Sequence, residues 1–253
     1  MSHHIIQARD VRYSYPDGCV ALDGVTFTIT HGEAVGLVGA NGAGKSTLLM
    51  LLCAVLFPTS GEISVGQTVS NRMHARLIHR KAGVVFQDPD SQLFMPTVFE
   101  DVAFGPRNMG LDEKSANEQA WQALDSAGAA HVAGRAPHRL SSGEKRLAAV
   151  ATALSTSPDI LLMDEPTSML DPRARRRVIA LISGFTHTRV LTTHDLDMAL
   201  EVCTRVIVLD KGRVAADGKP RALLSDYALL DACGMEPPLS MQRCPACGRT
   251  PLP

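Results

Sequence analysis

Three glycines, a lysine and a hydroxyl pair stand together in Gly39-Ala40-Asn41-Gly42-Ala43-Gly44-Lys45-Ser46-Thr47. That spacing suits phosphate. Glycines let successive backbone N–H groups turn inward, so a loop leading into a helix N-terminus can cradle an anion that side chains would otherwise crowd out. Lys45 then supplies a point charge for a nucleotide's terminal phosphates, and the Ser46 hydroxyl stands where it can ligate magnesium. Further along the chain, Asp164 and Glu165 end the apolar run Ile160-Leu161-Leu162-Met163. On this reading Asp164 holds magnesium through its water shell and Glu165 polarises an attacking water. Gln87, ending Gly83-Val84-Val85-Phe86, can reach magnesium or its water. His194, after Val190-Leu191-Thr192-Thr193, can contact a γ-phosphate and hold the water in line with Glu165. Magnesium is thus assigned to Ser46, Gln87 and Asp164.

The elements that must position these groups are legible around them. Apolar residues 34–38 precede the glycine loop and residues 48–57 follow it, a strand–loop–helix order. Residues 5–11 and 21–29 read as strands joined across Tyr15-Pro16-Asp17-Gly18, and residues 62–65 extend that antiparallel sheet. Tyr15, less so Tyr13, offers an aromatic face to a nucleotide base, though strands use tyrosine for ordinary packing too. Residues 83–87 read as a buried strand and 88–94 as loop. From 98 to about 130 the pattern is helical, with Ala116, Trp121, Leu124 and Ala127 expected on one face. Ser141-Ser142-Gly143-Glu144 reads as a capping box with Ser141 as N-cap, before a helix over 145–154. The same helix start, with Ser141 and Gly143, is an anion site that could meet a γ-phosphate from another subunit. Asp171-Pro172 starts a further helix.

Composition narrows the class. The chain has 253 residues, 45% hydrophobic and 20% charged, with a formal net charge of -1. It can bury a sizeable core, and it exerts no global attraction on nucleic acid or an anionic membrane. Residues 48–57 form the longest apolar run, too short to span a bilayer, and residues 1–4 do not begin a charged-then-apolar leader. Any membrane role is therefore expected to be peripheral. Six scattered cysteines suit a reducing cytoplasm better than a disulfide framework.

The order Gly39 to Thr47, Gln87, Leu140 to Glu144, Ile160 to Glu165, Ser168-Met169-Leu170-Asp171 and His194 resembles the nucleotide-binding subunit of an ABC (ATP-binding cassette) transporter, over about residues 5–225. The resemblance implies an α/β phosphate-loop ATPase with a mostly parallel core sheet, an antiparallel β-subdomain and an inserted helical subdomain at about 88–158. It implies ATP and Mg2+ as ligands, and two cassettes paired head to tail; because the motifs are mostly whole within one chain a homodimer is the expected pairing, with a related heterodimeric partner as the alternative. Lys45, Ser46, Gln87, Asp164, Glu165 and His194 would serve one ATP, Ser141 and Gly143 the opposite one, and Asp171 with its neighbours would join the two cassettes. The stretch from Gln87-Asp88-Pro89-Asp90-Ser91-Gln92-Leu93-Phe94 through Glu100-Asp101-Val102-Ala103-Phe104-Gly105-Pro106 is similar to the ATPases of energy-coupling-factor importers, especially the cobalt and nickel group. That likeness implies a groove receiving coupling helices from an integral membrane subunit, a separate substrate-binding membrane subunit, and a place at the cytoplasmic face of the membrane. A soluble ABC ATPase acting on nucleic acid or ribosomes is the alternative, although the basic run Arg173-Ala174-Arg175-Arg176-Arg177 reads most simply as a solvated helix face, so no nucleic-acid partner is expected.

Three features depart from the family pattern. Ser142 stands where the family usually has Gly, and Glu144 where it usually has Gln. A cassette over 1–232 is followed at 233–253 by a tail rich in proline, carrying Cys244-Pro245-Ala246-Cys247. One Cys-x-x-Cys supplies two of the four ligands a structural zinc wants, and free thiols on a loose terminus are the simpler expectation.

Overall fold

A computed structural model describes residues 4–242. The chain divides into two compact units, one of residues 1–72 with 190–253 and the other of residues 73–189. In chain order the first unit opens with β1 (His4–Ser14), β2 (Val20–Thr30), β3 (Ala34–Val38), α1 (Lys45–Leu52), β4 (Ser60–Val65) and β5 (Thr68–Val69). The second holds α2 (Ala75–His79), β6 (Ala82–Val85), α3 (Val98–Asn108), α4 (Glu113–Ala127), α5 (Ser142–Leu154), β7 (Ile160–Asp164) and α6 (Pro172–Gly184). The division falls within β8 (Thr188–Thr192), after which the first unit resumes with α7 (Leu196–Val202), β9 (Arg205–Asp210), β10 (Arg213–Gly218), α8 (Pro220–Leu224) and α9 (Tyr227–Ala232).

In the first unit, β2, β1, β4 and β5 form an antiparallel sheet, with Ile6 opposite Ile29 on one side and Val65 on the other. Strand β2 buries Val25, Phe27 and Ile29 at every second position, the pattern of a strand with one face on the core. Strand β3 is different. All five of its residues are buried, and it pairs in parallel with β9, which pairs antiparallel with β10. A continuous apolar run covered on both faces is how a central α/β strand reads.

The second unit pairs β6 and β7 in parallel, Val85 opposite Met163, and all five residues of β7 are buried. Strand β6 stops at Val85 instead of reaching Gln87, because side chains take over the backbone bonds beyond it. The Gln92 Oε1 accepts from Phe86 N at 3.0 Å, while Arg146 donates to the Phe86 and Gln87 carbonyls. Residues 88–94 contain a short 3-10 turn, Pro89–Ser91, capped by Asp88. Helix α4 buries Ala116, Ala120, Ala123, Leu124 and Ala127, but Trp121 is 46% exposed. Five residues at 100° each carry Trp121 about 140° from Ala116, off the buried stripe, so its expected place on that face is corrected.

The expectation of a loose tail from residue 233 is corrected over the described residues, which are tied down as far as Met241. Leu239 and Ser240 donate backbone N–H groups to the two Asp197 carboxylate oxygens at 2.9 and 3.2 Å, and Tyr227 Oη donates to the Met241 carbonyl at 3.0 Å. Cys244 and Cys247 lie outside the described residues. Among those residues no helix is long and apolar enough to cross a membrane.

Candidate functional site

The first unit builds the phosphate loop. Gly44, the N-cap of α1, has φ 99°, and a Cβ there would lie 2.5 Å from the Ala21 carbonyl oxygen and 2.8 Å from Leu22 Cδ2. A Cβ on Gly39 would meet the Leu209 carbonyl oxygen at 2.2 Å. The loop is therefore pressed against β2 and β9, and only glycine fits the two contact points. A further tie runs from Gly212 N to the Ala43 carbonyl at 3.1 Å, with Asp23 N donating to the Gly212 carbonyl at 2.8 Å. The first turn of α1 has neither an acidic residue nor a capping side chain, a helix start whose dipole favours an anion.

Lys45 is buried and lies back across the loop, its Nζ donating to the Gly39 and Ala40 carbonyls at 2.8 and 3.1 Å. Ala40, Gly44 and Ser46 are half-buried, Gly39, Ala43 and Thr47 buried, and Asn41 and Gly42 exposed. Tyr15 joins this group through its hydroxyl, 2.9 Å from Thr47 Oγ1, and its half-buried ring meets Tyr13 edge-on at 5.0 Å between centroids. Tyr13 itself is a core residue of β1. His194 is exposed and held from both sides. Thr193 N donates to the Leu37 carbonyl at 3.1 Å, and Asp195 caps α7 by accepting from Met198 N at 2.9 Å.

The second unit carries Gln87, Ser141, Gly143, Asp164 and Glu165. Gln87 is exposed just past β6, with its carbonyl fixed by Arg146 Nη2 at 2.6 Å. Asp164 and Glu165 are both buried at the end of β7. Glu165 has φ 46°, a left-handed backbone that costs a side-chain-bearing residue on the order of 1 kcal/mol, and its carbonyl accepts from Ser168 N at 3.1 Å. Strand end and turn together aim a residue that β geometry alone would have pointed elsewhere.

Ser141 caps α5 in a complete capping box with Glu144. Ser141 and Ser142 are exposed, whereas Gly143 is buried, and a Cβ there would stand 2.8 Å from Ala174 Cβ of α6. Gly143 is thus needed for helix packing within this chain. Asp171 caps that same helix α6, accepting from Arg173 N and Ala174 N at 2.8 and 3.1 Å, and these bonds hold its carboxyl below the usual range. Arg173, Arg176 and Arg177 lie exposed along α6.

Several side chains to which the sequence assigns no individual role brace this unit. Arg146 is 2% exposed, and its Nη1 donates to the Phe86 carbonyl at 2.7 Å beside the Gln87 bond. Burial pulls its guanidinium below the usual value, opposed by the Asp88 and Asp164 carboxylates. The signal was a cation three residues after Gly143 and four before Val150, on the apolar face of a helix. The Gln92 Nε2 lies within 3.0 Å of the Val84 and Ala149 carbonyls and of Thr152 Oγ1, bracing β6 on α5. Lys145 Nζ meets both Asp90 oxygens at 2.6 and 2.8 Å. Asp101 accepts from Phe94 N and Met95 N at 2.9 and 3.0 Å, and burial raises its carboxyl above the usual range.

Comparison with known proteins gives the family. Residues 22–168 match the ABC transporter family profile. A Geobacter sulfurreducens protein, provisionally named an ABC transporter ATP-binding protein, is 55% identical over 249 residues, covering 98% of this chain and all of that protein. The energy-coupling factor transporter ATP-binding protein of Methanospirillum hungatei is 40% identical over 243 residues, 94% of this chain and 61% of that one. Among solved structures, CbiO1 of Clostridium perfringens, part of the CbiONQ ABC transporter complex, superposes with a TM-score of 0.80 at 33% identity, covering 91% of this chain and 94% of that one. The dimeric cassette MJ0796, bound to ADP and Pi in a post-hydrolysis state, does so with a TM-score of 0.78 at 28% identity, covering 85% and 99%.

Proposed function

We propose that this chain, which belongs to the ABC transporter family and is an ATPase of that family, powers an importer of the energy-coupling-factor type. The observation that carries the subtype is the segment after Gln87. Asp101 pins the Phe94 and Met95 amides, and the neighbouring Phe94 and Phe104 rings, edge-on at 5.1 Å, are left 64% and 40% exposed. An exposed aromatic pair formed by a braced loop and helix α3 suits a protein partner. The likenesses to the Methanospirillum protein and to CbiO1 support the same reading. The partners are then an integral membrane coupling subunit and a substrate-binding membrane subunit, with this chain peripheral at the cytoplasmic face. The cargo proposed is a transition-metal ion, cobalt or nickel, on the family likeness alone.

Two cassettes, most simply two copies of this chain, enclose ATP head to tail. The loop amides and Lys45 hold the phosphates, Tyr15 takes the base, Glu165 orients and polarises water, and His194 steadies the γ-phosphate. Ser141 and Gly143 approach the ATP of the opposite cassette. The oxygens of Ser46, Gln87 and Asp164 are the hard donors that Mg2+ takes, and the uncapped α1 start accepts the phosphates that share it, so the chemistry of this donor set fits the ion. When bound, Mg2+ neutralises phosphate charge. Glu165→Gln is expected to lower ATP turnover at least a hundredfold while ATP binding persists. Affinity isolation from gently solubilised membranes tests the importer reading: a small multi-spanning protein that changes ATP turnover supports it, and recovery of ribosomal or other soluble partners alone overturns it.

A further inference from the structure

Glu144 lies at the start of α5, bonded to the Ser141 hydroxyl and amide that the proposed function turns toward the opposite nucleotide. Its Oε2 accepts from Ser141 N at 2.8 Å and from Ser141 Oγ at 2.7 Å, while Ser141 Oγ accepts from Glu144 N at 3.3 Å. A hydroxyl has one proton, and here it is given to a carboxylate, the stronger kind of acceptor. The other oxygen, Oε1, lies 3.5 Å from Arg135 Nη1 and 3.6 Å from His131 Nε2. The hydrogen bonds from Ser141 hold the Glu144 carboxyl below its usual range, with Arg135 and His131 adding to them, so it is charged at neutral pH. An internal anion therefore already sits at the positive end of α5.

We infer that Glu144 restrains capture of the opposite cassette's ATP, because the Ser141 hydroxyl must leave this carboxylate before it can donate to a γ-phosphate. The inference rests on the reading that Ser141 and Gly143 face the opposite nucleotide. Glutamine at 144 keeps an acceptor for Ser141 N, and hence the cap, but removes the charge and weakens the hold on the hydroxyl. Arg135 acts the other way, its guanidinium screening the carboxylate from the phosphate.

The test uses the full chain in a Glu165→Gln background, with dimer fraction followed by size exclusion and light scattering against MgATP concentration. Adding Glu144→Gln is expected to lower the midpoint at least threefold with unfolding temperature unchanged, whereas Arg135→Gln raises it. A purely structural cap, which glutamine keeps, predicts an unchanged midpoint for Glu144→Gln, so an unchanged or raised midpoint overturns the inference. If Glu165→Gln forms no ATP-dependent dimer at any concentration, the head-to-tail reading fails and this one with it.

Discussion

Replacing Arg146 by methionine keeps an unbranched apolar stem in the same space and removes both bonds of the guanidinium, to the Phe86 and Gln87 carbonyls. A hydrogen bond to a charged group contributes roughly 1.5–3 kcal/mol. The two are not equal here. Gln87 is exposed and its carbonyl can be rehydrated, while Phe86 is half-buried, and removing the cation also relieves the desolvation of a buried charge. The net loss is then that of about one such bond, roughly 2 kcal/mol. For a chain of this length each kcal/mol shifts the unfolding midpoint by about 2–4 °C, so Arg146→Met should unfold roughly 4–8 °C early in a nucleotide-free thermal scan. Lysine, with one ammonium in place of a planar fork, cannot span both carbonyls and should fall between. The reasoning is refuted if Arg146→Met unfolds within about 1 °C of the parent.

Other outcomes follow from single contacts. Gly44→Ala puts a Cβ 2.5 Å from the Ala21 carbonyl at a left-handed φ; it should abolish binding of a fluorescent ATP analogue and destabilise the chain by roughly 2 kcal/mol or more. Asp101→Ala orphans the Phe94 and Met95 amides and should cost roughly 2–3 kcal/mol in chemical denaturation, whereas Asp101→Asn keeps the acceptor, removes a buried charge and should stay within about 1 kcal/mol of the parent. The Asp171 carboxyl is held low by the Ala174 and Arg173 amides, so its stabilising effect is present above its unfolded pKa of about 3.9 and is lost as pH falls through the lower folded value. Asp171→Asn keeps a capping acceptor that does not titrate; the gap in unfolding temperature between parent and variant at pH 7 should therefore close below about pH 4, and a gap that persists there would contradict the assignment.

Much of the fold is readable because its signals are local. The runs of β3 and β7 are apolar at every position, and Asp112, Ser141 and Asp171 cap the helices that follow them through bonds spanning two or three residues. The hairpin of β9 and β10 is marked in the sequence by its Lys211-Gly212 turn, while residues 205–218 carry no motif that points to chemistry. Trp121 departs from the expected face for a physical reason: its angle on α4 places it outside the stripe that alanines fill, whatever its hydrophobicity.

By itself the sequence determined the residue types: the three glycines, lysine and serine of the loop, the paired Asp164 and Glu165, and the capping box at Ser141, since each is a pattern within ten residues of chain. Only the tertiary structure decided what those residues do to one another at a distance. Gly143 is required by Ala174, thirty-one positions on; Phe86 and Gln87 are held by Arg146 from the other side of the helical insertion; and Tyr15 reaches Thr47 across thirty-two residues. Such contacts depend on which faces the core brings together, and Glu144, a local cap by sequence, becomes an ion-pair partner only once Arg135 is in place.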